Sequence, residues 1–241
     1  MEVHAHTHTA RKKWTHYLWE FLMLFLAVFC GFLAENQREH YVEHQREKKY
    51  AVQLISDLRA DSTFFVRLSG GLDSIIQRHK EFEKIMNSPS ATDYDIVKAY
   101  IKLQGAFSMG ATTATYSEMK SSGSFRYMQD AELTRLLKKY YESSLAFLKL
   151  NEEYAFDFFA NRIEPFTLKH FRMADMDLFN EKLLTSSPVF VQRNKETEME
   201  LMNIMSMYKT YLIVYLEAAV LPAKKRVNEI IELLKKEYHL K

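Results

Sequence analysis

Three groups of residues have the side chains and spacing to hold a metal. His4, His6 and His8 form an H-x-H-x-H run, and alternating imidazoles can chelate zinc, nickel or copper. No carboxylate or cysteine completes a shell there, so a short solvated polar tail explains the run more simply. His40 and His44 stand four residues apart, the spacing that puts two imidazoles on one face of a helix. Glu43 directly precedes the second histidine, so the order is not H-E-x-x-H, and an exposed charged helix accounts for the pair. Met199, Met202, Met205 and Met207 suggest a thioether ladder for Cu(I), echoed by His170, Met173 and Met176. Methionines at helical spacing more often fill a core.

Glu20 is the most unusual single residue, because it interrupts an apolar run. A carboxylate at the centre of a membrane costs about 2.5–3.5 kcal/mol on insertion scales, and less near an interface. Glu20 lies three residues beyond Tyr17. It can therefore snorkel toward the headgroups, pair with Lys13 or His16, or meet a partner subunit. Ala27 and Gly31 form a small-xxx-small pair that lets two helices approach closely, a route to a homo-oligomer.

No signature of catalysis is present. The chain contains no phosphate loop, nucleophile elbow or zinc-protease motif, and no cofactor is expected. Glu152-Glu153 read as a solvated helix surface. The single cysteine, Cys30, excludes an internal disulfide and a Cys-based zinc site. A net charge of +2 gives no reason to expect nucleic acid as a partner.

The elements that carry these residues follow from composition. A 47% hydrophobic, 14% aromatic chain excludes general disorder and can build a core. Six glycines and four prolines are too few for glycine-rich nucleotide folds or turn-dense β architectures. An all-α fold is expected. Phe21 to Ala34 is an uninterrupted apolar run, and Trp14 to Ala34 has the length of one transmembrane helix, with Trp14, Tyr17 and Trp19 as an interfacial aromatic belt. Bulky Phe32-Leu33-Ala34 argues against signal cleavage, and Val28-Phe29 before Cys30 argues against a lipoprotein. Arg11, Lys12 and Lys13 cluster on the N-terminal flank, whereas the later bases are interleaved with glutamates. The reading is therefore a cytoplasmic tail over 1–13, an anchor over 14–34 in a bacterial inner membrane, and the remainder in the periplasm.

Residues 35–50 read as a charged helical stalk, roughly 24 Å long at 1.5 Å per residue. From 51 to 241 the pattern predicts an antiparallel helical bundle. Val52, Ile55, Leu58, Phe65 and Leu68 form the first apolar face, with Gly70-Gly71 ending that helix and a second running to Met86. Thr92 or Asp93 caps a helix to about Phe107. A short helix over Thr113–Lys120 ends at Ser121-Ser122-Gly123. Asp130 caps a long helix whose face includes Leu133, Leu137, Tyr140, Phe147 and Phe158, ending near Glu164-Pro165. A looser stretch follows to Pro188. The last helix, about Lys195 to Tyr238, should kink at Pro222. Its Tyr211–Leu221 stretch is interrupted by Glu217 and is amphipathic, so one span is preferred.

The segment Thr115-Tyr116-Ser117-Glu118-Met119-Lys120-Ser121-Ser122-Gly123, the helix from Asp130-Ala131-Glu132-Leu133 to Tyr140-Tyr141, and the anchor and stalk together resemble single-span, membrane-anchored helical proteins of Bacteroidota, a family of unknown function. Met119 stands where that family more usually has leucine. The resemblance implies location and fold and no reaction. Read physically, Tyr116 and Met119 face the core, and Ser121 and Ser122 satisfy the last carbonyls before Gly123. A ligand-binding turn at Tyr116, Glu118, Ser121, Ser122 and Gly123 is the rival reading. The functional expectation is a non-catalytic, membrane-anchored scaffold or accessory subunit of a cell-envelope complex, its partners the lipid bilayer and a protein or second copy. The alternative is a periplasmic sensor of a small molecule or copper, with Tyr116, Tyr140 and Tyr141 lining its pocket.

Overall fold

The computed structural model describes residues 14–103, 110–128 and 130–240. The chain divides into two compact units, Met1–Lys49 and Tyr50–Lys241. His4, His6 and His8, and the N-terminal tail that carries them, lie outside the described residues. The fold is all-α: a long N-terminal helix, and a bundle whose described strands are one pair of two residues each, Met176–Asp177 and Lys182–Leu183, joined antiparallel.

Helix α1 runs without a break over Trp14–Met86. The expected stop at Gly70-Gly71 is absent. A mid-helix glycine costs only about 1 kcal/mol, and the flanking Leu68, Leu72, Ile75 and Ile76 are all buried, so packing outweighs propensity. The inward face of α1 is Ala51, Leu54, Ile55, Leu58, Phe65, Leu68, Leu72 and Phe82, at i, i+3/i+4 spacing. Val52, read from sequence as part of that face, is half exposed.

Helix α2 covers Asp93–Tyr100 and is capped by Thr92, whose hydroxyl accepts from the Asp95 amide while the Asp95 carboxylate accepts from the Thr92 amide. A 3₁₀ turn over Ile101–Leu103 ends it; the predicted continuation to Phe107 lies outside the described residues. Helix α3 is Ala114–Ser121, closed by Gly123 at φ 70°.

From Ala131 to His170 the backbone is helical throughout, as α4 (Ala131–Lys138), α5 (Leu145–Phe158) and α6 (Glu164–His170), separated by π turns over Lys139–Ser144 and Phe159–Ile163. Asp130 caps α4 as expected, accepting from the amides of Glu132 and Leu133. Two expectations are corrected. Phe147 is exposed, because the first π turn inserts an extra residue and rotates the face that follows. The helix also passes Pro165 to reach His170. The Glu164 amide bonds to the Phe159 carbonyl five residues back, and this wider turn relieves the clash a proline ring makes with an α-helical carbonyl.

The same device recurs at the C-terminus. Helix α7 (Lys195–Val214), a π turn over Tyr215–Val220 and α8 (Leu221–Glu237) form the last helical segment, and the disruption expected at Pro222 takes the form of that π turn. Asn194 caps α7 in a box with Thr197. Leu201, Met205, Tyr208, Leu212, Tyr215 and Ala219 are buried, as their periodicity requires. The loop before α7 is held by an aromatic cluster in which Phe171 stacks on Tyr100 at 4.6 Å and on Phe190 at 4.9 Å.

Candidate functional site

The predicted motif lies on α3 and is built into the bundle by groups from α1 that the sequence reading did not single out. The N-cap of α3, Thr113, makes no side-chain cap. Two carboxylates of α1 take its place: Asp61 Oδ1 accepts from the Thr112 amide at 2.8 Å, and Asp57 Oδ2 from the Thr115 amide at 3.3 Å. Asp61 is fully buried. Its second oxygen accepts from the Tyr140 hydroxyl at 2.7 Å, so one side chain ties α1, the entry to α3 and the first π turn together. Burial raises the pKa of Asp61, opposed by the Thr112 and Tyr140 hydrogen bonds, and burial also pushes the Tyr140 hydroxyl above the ordinary phenol range.

Tyr116 is buried and stacks on Tyr141 with ring centroids 4.3 Å apart. Its hydroxyl donates to Glu142 Oε1 at 2.9 Å, which also takes the Lys120 ammonium at 2.7 Å. Those two donors hold Glu142 below the usual carboxylate range, Lys120 contributing more. Tyr140 meets Tyr141 edge-on at 4.8 Å. Of the three tyrosines expected to line a pocket, Tyr141 therefore packs against both of the others, with the Tyr116 and Tyr140 hydroxyls fixed as donors to carboxylates. Such groups brace; with raised pKa values they are poor bases at neutral pH.

The remaining motif residues are placed as follows. Met119 is buried, and Ser121 Oγ and Ser122 Oγ donate to the carbonyls of Glu118 and Met119. Ser122 also bonds Ser124 at 2.6 Å, and Glu118 accepts from the Tyr50 hydroxyl at 3.1 Å. All of these contacts are internal to the bundle.

In the first unit, Glu20 Oε1 sits 3.1 Å from His16 Nε2, one of the two partners expected for it. Ala27 and Gly31 are exposed on their helix, and a Cβ at Gly31 would meet nothing within 4 Å. His40 and His44 lie 3.9 and 3.6 Å from the carboxylates of Glu43 and Glu47. Among the described residues no three His, Cys, Asp or Glu side chains converge to hold a metal ion. The methionine ladder is split: Met205 is buried, while Met199 and Met207 face outward.

Two buried histidines also escaped the sequence reading as polar core groups. His79 on α1 packs against the Tyr208 ring at 5.8 Å, beside an ion pair between Glu83 and Lys209. His170, at the end of α6, lies between Phe166 and Phe190. Comparison of the chain with protein-family models, curated proteins and solved structures finds no match.

Among the described residues, two helices are long and apolar enough to cross a membrane. One is α1, whose apolar stretch is exposed along its whole length; the other is the Lys195–Glu237 segment, whose apolar stretch is 39% buried.

Proposed function

We propose that this chain is a membrane-anchored, non-catalytic helical bundle that acts through protein contacts, as a scaffold or accessory subunit of a cell-envelope complex. The observation that carries the reading is the apolar stretch of α1, none of which is buried among the described residues. Burying such a stretch in lipid removes its apolar surface from water at about 25 cal/mol per Å². The second apolar helix supports a single span, since its inward face is already part of the bundle core. The basic cluster at 11–13 supports an orientation with the N-terminus in the cytoplasm and the bundle in the periplasm of a bacterium, in keeping with the Bacteroidota proteins the motif resembles.

Within the bundle, the chemistry of the motif is spent on internal bracing, which favours a structural and interaction role over turnover. The test is native mass spectrometry of full-length protein extracted in mild detergent from its own host, alongside in-cell crosslinking. A stoichiometric protein partner, or a defined homo-oligomer, is the expected result. A lone chain, with extraction from membranes by alkaline carbonate, would sink both halves of the proposal.

A further inference from the structure

A groove of about 670 Å³ runs between the second π turn with α6 on one side and the first half of α7 on the other. Its size is within the range of small-ligand sites, which often lie between the helices of bundles. His170 lines it. That imidazole is 2% exposed, and neither ring nitrogen has a hydrogen-bond partner among the described residues. A buried polar group left unpaired costs about 1–3 kcal/mol, and both nitrogens are closed to solvent, so a turn of this ring toward the groove would be offset by a ligand that supplies the missing partner. The charges are sorted by wall. Arg162 and Lys169 come from the π turn and α6, Glu196 and Glu200 from α7, and none of the four is ion-paired among the described residues. Met199 and Met207 are exposed by 60% and 46% and offer adaptable apolar contact.

A copper ion does not fit these methionines, because eight helical residues set them roughly 12 Å apart along the axis. We propose that this groove binds a short peptide with free termini and an apolar middle residue. Its ammonium would face Glu196 and Glu200 on α7 and its carboxylate Arg162 on the opposite wall, with Lys169 adding to the positive field there, and a backbone amide would pair with His170 once that ring turns toward the groove. The inference goes beyond the anchor-and-scaffold reading and is independent of it, since the groove lies within Tyr50–Lys241.

The test is a titration of the full-length protein in mild detergent, labelled with ¹³C-methyl methionine, with the tripeptide Ala-Leu-Ala. The expected result is saturable shifts at Met199 and Met207 with the buried Met119 unmoved. N-acetylated, C-amidated Ala-Leu-Ala should bind about tenfold more weakly or worse, and R162Q and E200Q should each cost the free peptide about tenfold. Both substitutions are at exposed positions, and an unchanged thermal midpoint checks their folding. His170→Phe, which removes the unmet nitrogens, should keep the fold and weaken binding. No shift at millimolar peptide, equal affinity for capped and free peptide, or binding indifferent to both charge substitutions would overturn the proposal.

Discussion

Asp61 occupies a position that the spacing of α1 reserves for an apolar residue, between Leu58 and Phe65, and the structure gives it two hydrogen-bond donors in place of a hydrophobic contact. Asp61→Leu fits the stripe better by pattern, yet it strands the Thr112 amide and the Tyr140 hydroxyl. It should destabilise the bundle by about 2–4 kcal/mol in urea unfolding, while Tyr140→Phe, which removes a single donor, should cost about 1–2 kcal/mol. Equal stability of Asp61→Leu and the parent would show that the carboxylate is not a brace. His79 allows a test by pH. Burial lowers its pKa from 6.5 to about 4, with Glu83 opposing and Lys209 assisting. The folded state therefore favours the neutral ring, so this contribution to stability is complete above pH 6.5 and is lost as pH falls toward 4. Its size is about 3 kcal/mol. His79→Leu should flatten that part of the stability profile between pH 7 and pH 4, measured by denaturant unfolding at each pH.

At the scale of elements, glycine has opposite meanings at two positions. Gly70 lies inside α1, is exposed, and would place a Cβ in open space, so Gly70→Ala should stabilise by about 0.5–1 kcal/mol. Gly123 closes α3 at φ 70°, where an L side chain is strained, and Gly123→Ala should destabilise by about 1–2 kcal/mol. Thermal unfolding of the two variants should shift the midpoint in opposite directions. The caps at Thr92 and Asp130 were legible because they depend on local residue types a few positions apart. The π turns were not. Pro165 and Pro222 mark the places of two of them but not their form. The first, over Lys139–Ser144, inserts a residue with no proline to signal it and rotates the face that follows, which is why Phe147 points outward although its spacing marks it as core.

For the whole molecule, the proposed anchor predicts which of the two apolar helices enters lipid. With Cys30 replaced by serine, Leu26→Cys should resist a membrane-impermeant maleimide in intact membranes. Ile213→Cys should react once the outer envelope is permeabilised, because it lies on the outward side of a helix whose other face is core. Protection at both positions would argue for two spans and return the C-terminus to the side of the N-terminus. The basic cluster at 11–13 predicts further that replacing Arg11, Lys12 and Lys13 with glutamine weakens the orientation, read as mixed sidedness of a C-terminal reporter fusion.

The helical class, the apolar span and the motif's inward residues were determined by the sequence itself, because periodicity, run length and caps are local properties. Tyr116 and Met119 needed only their spacing to be assigned to the core. The tertiary structure alone decided that Tyr141 stacks on Tyr116 and meets Tyr140 edge-on. It also brought Asp61 to Thr112, 51 residues away, and set His170 beside α7. Such pairings depend on how distant helices are brought together, and a single chain of letters holds no record of which polar group will meet which across a core.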